Sequence, residues 1–429
     1  MRFWRNVHLS GKTNNTERLD VVSATMVLAD TQDGKIMNGE FMNGEIMTGT
    51  MKFNELECAD GSRIGVAALE NPAALNALTL PMLKQLSTQL ADWENDSNIA
   101  CVFLHSEHSK AFCAGGDVRA MYHAMIEADA HKQAGESGAS PEAFLTEYFS
   151  VEYRCDYQIH QYKKPLIVWG EGIVMGGGIG LYMGASHRVV TPTSLLAMPE
   201  VTIGLYPDVG GTWFLNQLPP GIGLFLGLTG ARVNASDALD LKMADYILLS
   251  EHKQAVLSGL QAIDWQQAGE SDLAVTACLG QLAEAAKPAW PPSQMIPYFP
   301  QIQAASVGRD LNEICQQIQA IDGLGTWLET AKSTLKQGSP VTAHICYRQM
   351  TDYKALSLAD CFRLELGLSV RCGMLGEFQE GVRARLIDKC GEPKWIFSNV
   401  SAVDSSVIDD LFAPMWSDDD HPLRNLGAE

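Results

Sequence analysis

Leu166-Ile167-Val168-Trp169-Gly170-Glu171-Gly172-Ile173-Val174-Met175-Gly176-Gly177-Gly178-Ile179-Gly180 decides the architecture of this chain. The short apolar run Leu166 to Trp169 suits a buried strand, and the glycines after it open a helix. Glycines at such a junction leave backbone N–H groups unblocked at the positive end of the helix dipole. Working outward, the same alternation recurs. Arg63 to Leu69, Ala100 to Leu104 and Arg188 to Thr191 read as further strands. Leu80, Leu83, Leu86, Leu90 and Trp93 fall at three- and four-residue steps, the spacing of an amphipathic helix. Alternating strands and helices place this part in the α/β class. After about Ser250 the pattern turns helical, in Leu311 to Ile321, Trp327 to Lys336 and Leu358 to Leu375. Pro288, Pro291, Pro292, Pro297 and Pro300 mark an irregular connector. The expected organisation is a leader over 1–51, an α/β core over 52–250 and a mostly helical region over 251–429.

Residues 37–50 set the leader apart. Met37-Asn38-Gly39-Glu40 nearly repeats as Met42-Asn43-Gly44-Glu45, a period that fits neither helix nor strand. It reads as a flexible leader, with Met51 a candidate start. The 429 residues carry 31 Lys and Arg against 51 Asp and Glu, a net charge of −20. That balance argues against nucleic acid or an anionic membrane as the main partner, but leaves room for a local anionic ligand. Ten cysteines without a CxxC pair read as free thiols of a reducing compartment, with no zinc-type spacing. No apolar stretch is long enough for a membrane helix. The reading is cytoplasmic. Met1-Arg2-Phe3-Trp4-Arg5 has some transit-peptide character, which would make the chain mitochondrial, and Glu17 and Asp20 count against it.

Two further segments carry chemistry. Lys110-Ala111-Phe112-Cys113-Ala114-Gly115-Gly116-Asp117 follows a strand and precedes a helical stretch from Val118 to Ile126. Its glycines offer a second set of N–H groups, unless the segment is a tight turn with a capping aspartate. Met198-Pro199-Glu200 and Tyr206-Pro207-Asp208-Val209-Gly210-Gly211 each place an acid after a proline, among apolar neighbours. Such surroundings raise a carboxyl pKa toward the range useful for acid–base work; the bland alternative is a pair of solvent-facing loop acids. A dinucleotide fingerprint counted from Gly178 fits only in part, because Met183 stands where its third glycine is required. Two N–H sites beside two acids are the parts of carbonyl chemistry without a metal.

These segments together resemble the crotonase, or enoyl-CoA hydratase/isomerase, superfamily, and within it the 3-hydroxyisobutyryl-CoA hydrolases. The tail Glu380-Gly381-Val382-Arg383-Ala384-Arg385-Leu386-Ile387-Asp388-Lys389, with Pro393-Lys394-Trp395, adds to the match, which runs from about Lys52 to Trp395. The resemblance implies a spiral of ββα units, followed by helices that cover the site or build a homo-oligomer. It implies that the N–H groups of Gly116 and Gly177 hold the thioester oxygen as an oxyanion. It makes Glu200 the catalytic glutamate and Asp208 the second acid. By spacing from Gly177, Glu152 becomes a substrate contact; the alternative is a helix-surface charge. The hydratases have a glutamate three residues past the second oxyanion glycine, where this chain has Gly180. Thioester hydrolysis of a short β-hydroxyacyl-CoA is therefore expected. The substrates implied are 3-hydroxyisobutyryl-CoA, from valine breakdown, or 3-hydroxypropionyl-CoA. No cofactor is expected, CoA being part of the substrate. Hydratase or isomerase chemistry, or silent acyl-CoA binding, are the alternatives.

Overall fold

The molecule is described from a computed structural model that covers residues 49–134, 141–267 and 269–428. The near-repeat over 37–48 and the basic start lie outside these residues. Among the described residues ten strands form two sheets. The larger contains β1 (Thr50–Glu57), β2 (Arg63–Glu70), β3 (Ile99–Ser106), β5 (Leu166–Gly170), β7 (His187–Val190) and β10 (Tyr246–Ile247), in that order. β1 pairs antiparallel with β2, and every later neighbour is parallel. β1 starts at Thr50, two residues inside the stretch read as leader. The smaller sheet runs β4 (Ala111–Cys113), β6 (Ile173–Met175), β8 (Leu195–Ala197) and β9 (Val233–Asn234).

Each turn of the chain gives one strand to the large sheet and the next to the small one: β3 then β4, β5 then β6, β7 then β8. Helices follow. They are α1 (Leu80–Asn95) before β3, α2 (Val118–Ala134) and α3 (Pro141–His160) after β4, α4 (Gly177–Met183) after β6, and α5 (Gly211–Phe214) beyond β8. This is the expected spiral of ββα turns. Parallel strands need such crossovers, and each crossover helix covers a sheet face.

Local chemistry explains the elements. Thr79 caps α1 by accepting from the Met82 N–H, and Pro81 fits the first turn. The helix buries Met82, Leu83, Leu86, Leu90 and Trp93, the stripe read from the sequence except that Met82 is buried and Leu80, at the helix start, is only half-buried. Ile64, Cys101, Phe103, Ile167, Trp169 and Val189 of the large sheet pack with Val256, Leu260, Val275 and Leu279 of two helices beyond 250. Helices dominate from there on: no described residue after Ile247 is in a strand, and Leu358–Leu375 is helical over the range expected. That helix packs along α3, and the helical region forms one compact unit with the α/β part. No described helix is long and apolar enough to cross a membrane.

Candidate active site

The three motifs converge because β4, β6 and β8 are parallel neighbours. Each motif leaves the C-terminal end of one of these strands, the end at which open parallel sheets present loops to ligands. Cys113 ends β4, and Gly116 follows three residues later. Met175 ends β6, and Gly177 opens α4. Ala197 ends β8, and Glu200 begins a single turn of 3₁₀-helix. A side chain starting at Gly177 would begin 3.2 Å from the Gly116 nitrogen and would collide with Glu152 Oε1. Neither the Gly116 nor the Gly177 N–H donates to an acceptor among the described residues. Gly176 holds φ at +49, where an L side chain is strained, and one there would start 2.8 Å from Glu200 Oε1.

The acids are not loop charges. Glu152, Glu200 and Asp208 are each at most 4% exposed, so the surface-charge readings of Glu152 and of the two prolyl acids fail. Glu152 lies on the buried face of α3 and its Oε1 has no hydrogen-bond partner; Glu200 Oε2 is likewise unpaired. Burial pushes Glu200 well above the usual carboxyl range, and the charges of Asp208 and Glu152 add to it. Burial, then Asp208, does the same to Glu152. Burial raises Asp208 to about 7, against a lowering hydrogen bond with Tyr153. The protein therefore gathers carboxyls that cannot all ionise, the condition under which one holds a proton at neutral pH.

Several site residues escaped the sequence reading. Asp156, one helical turn beyond Glu152, is fully buried with both carboxyl oxygens unpaired. A side chain starting at Gly180 would begin 2.6 Å from Asp156 Oδ2. Asp156 thus stands against the position where the hydratase pattern has a glutamate. The i, i+4 spacing of the two acids was the available signal, but the period alone does not tell a buried face from a wet one. Glu365, more than 150 residues beyond Asp208, accepts from the Gly210 and Thr212 N–H groups at 2.8 Å each. It thereby holds the turn in which Val209 has φ +48, a strained value for a β-branched residue. Tyr153 Oη lies 2.7 Å from Asp208 Oδ2 and 2.7 Å from Ser369 Oγ. The helix Glu377–Val382 presses on the Glu200 turn so closely that Gly381 has no room for a side chain against Ile203. Ser339 N–H donates to the Val201 carbonyl at 2.9 Å.

A depression of about 670 Å³ lies on the outer face of α3, lined by Thr146, Ser150, Arg154 and Pro422. It is on the opposite side of that helix from Glu152 and does not reach the carboxyls, so the chemistry is placed by the convergent residues instead.

The model of the enoyl-CoA hydratase/isomerase family matches residues 64–412. The chain belongs to that family. A 3-hydroxyisobutyryl-CoA hydrolase, mitochondrial, of Danio rerio is 34% identical over 82% of this chain and 88% of its own length. The protein of the same name from Homo sapiens is 32% identical over 83% of this chain and 87% of its own. The resemblance to these hydrolases read from the motifs is thus borne out. A solved enoyl-CoA hydratase of Rhodobacter sphaeroides superposes with a TM-score of 0.71 at 29% identity, covering 85% of this chain and 97% of that one. A carnitinyl-CoA dehydratase of Mycobacterium thermoresistibile gives the same score and identity over 88% and 99%. The mitochondrial names of the relatives stand against the cytoplasmic reading.

Proposed function

We propose that this family member hydrolyses the thioester of 3-hydroxyisobutyryl-CoA, releasing 3-hydroxyisobutyrate and CoA. One observation carries the reading: two unpaired glycine amides adjoin a buried Glu200–Asp208 pair, with no side chain at 180. The relatives named for this reaction, matched over most of their length, support it. As the carbonyl is attacked, its oxygen gains charge that the Gly116 and Gly177 N–H groups would hold. A donor of this kind is commonly worth ~10²–10³ in rate. Glu200 either attacks the carbonyl carbon, giving an anhydride that water opens, or takes a proton from the attacking water. Asp208 carries the proton that the CoA thiolate takes when the C–S bond breaks. Glu152, against both glycines, orients the acyl group. CoA enters as part of the substrate, and the reaction as written uses no other group. The mitochondrial relatives favour a mitochondrial address for this chain also.

Enoyl-CoA hydration is the second reading, favoured by the name of the Rhodobacter structure. The test presents purified protein with 3-hydroxyisobutyryl-CoA and a short enoyl-CoA side by side. Thiol release from the first, with the enoyl absorbance of the second unchanged, supports the hydrolase. Loss of enoyl absorbance without thiol release overturns it.

A further inference from the structure

A chain of hydroxyls runs from Asp208 into the helical region. Tyr153 Oη lies 2.7 Å from Asp208 Oδ2, and Ser369 Oγ lies 2.7 Å from Tyr153 Oη. Tyr206 Oη lies 2.7 Å from Ser369 Oγ and 2.8 Å from the backbone carbonyl of Glu365. Tyr153, Tyr206, Ser369 and Glu365 are wholly buried, so bulk water does not complete these contacts.

The hydrogens can be counted. There are four contacts and three hydroxyls, each with one hydrogen. A carbonyl only accepts, so Tyr206 gives its hydrogen to Glu365. Ser369 must then donate to Tyr206, and Tyr153 to Ser369. The fourth contact is complete only if the Asp208 carboxyl supplies the hydrogen. If Asp208 is instead a carboxylate, Tyr153 turns toward it and Ser369 toward Tyr153. One of the two Tyr206 contacts, that with Ser369 Oγ or that with the Glu365 carbonyl, is then left without a hydrogen between two close buried oxygens, which forfeits a hydrogen bond where no water replaces it.

We propose that Tyr153, Ser369 and Tyr206 form a directed hydroxyl relay, anchored on the Glu365 carbonyl, that keeps Asp208 in its proton-bearing form. The proposal deepens the thioesterase reading and rests on it for the role of Asp208. In the reaction, the Asp208 O–H bond breaks as the S–H bond of CoA forms. The relay then turns over to face the carboxylate, and the proton released by the water that completes hydrolysis, held by Glu200 in the general-base route, restores Asp208. The net change is one water consumed and one thiol and one acid made. Burial holds Asp208 up at about 7 even with Tyr153 donating to it. Turning the Tyr153 hydrogen toward Ser369 removes the one side-chain hydrogen bond that favours the anion. The other titratable groups around Asp208 are Glu152 and Asp156 on α3, Glu200 on its turn, and Glu365 and Cys372 on the helix Leu358–Leu375. None of them is removed in the variants below.

The three hydroxyl residues are positioning residues, so the readout is a pH profile. In Ser369→Ala the Tyr153 hydrogen has no acceptor but Asp208. The carboxylate is favoured, and the alkaline limb of kcat moves acidward by about one pH unit with KM little changed. Tyr206→Phe frees the Ser369 hydrogen to turn to Tyr153 and moves the limb the same way; it carries the test should Ser369→Ala fold poorly. Limbs at the wild-type pH in both variants, or displaced to higher pH, overturn the relay. Absence of thiol release by the wild type overturns the thioesterase reading instead. The relay is then read from the pH at which the decline of thermal stability levels off, the upper end set by the folded-state pKa of Asp208, which moves acidward in both variants if the relay exists and stays put if it does not.

Discussion

Asp208 and the two glycines show what single residues contribute. The Asp208 pKa is raised from 3.8 to about 7 chiefly by burial. The folded state therefore keeps this proton where the unfolded chain has lost it. The sign follows from linkage: stability from this group is fully present below the unfolded value and is lost as pH rises through about 7. A melting series from pH 5 to pH 8.5 should show that decline, and Asp208→Asn should flatten it while impairing turnover. A decline of equal size in the variant would assign it to other groups. Gly177→Ala forces a methyl against Glu152 and beside the Gly116 nitrogen. Turnover should fall by ~10²-fold or more, with the melting temperature changed far less. Wild-type turnover in this variant would remove the Gly177 amide from the chemistry.

At the scale of elements, the site depends on how the helices beyond 250 clamp two turns. Gly204 and Gly381 mark the contact of the Glu377–Val382 helix with the Glu200 turn, and Glu365 holds the Asp208 turn. Gly381→Ala has no space to relax except by moving backbone. It should destabilise by about 1–3 kcal/mol and depress turnover, although it lies far from Glu200 in sequence; chemical denaturation with parallel kinetics checks both. The strands, the α1 stripe and the glycine junctions were legible because local period and turn chemistry write them into consecutive residues. Asp156 and the Tyr153–Ser369–Tyr206 contacts were not. Their meaning arises only when α3 and Leu358–Leu375 pack side by side, and no local pattern encodes that pairing. Glu152 was found by spacing alone, and its burial came only with the structure.

For the molecule as a whole, the division at 250 marks a change of composition and not a place where the protein separates. Glu365, Ser369 and Glu377 support the acids from the far end of the chain. A chain lacking residues 358–429 should therefore show neither cooperative melting nor thiol release, and recovery of both would show that the preceding part builds the site unaided. The net charge of −20 does not oppose a CoA ester, because charge acts on a ligand through the local field of its site. The central claim is that Glu200 drives thioester cleavage. Its most direct test is Glu200→Gln, with thiol release from 3-hydroxyisobutyryl-CoA and acyl-CoA binding measured on the same preparation. Release lower by ~10²–10⁴-fold with binding retained is the predicted result; release near the wild-type rate would contradict it.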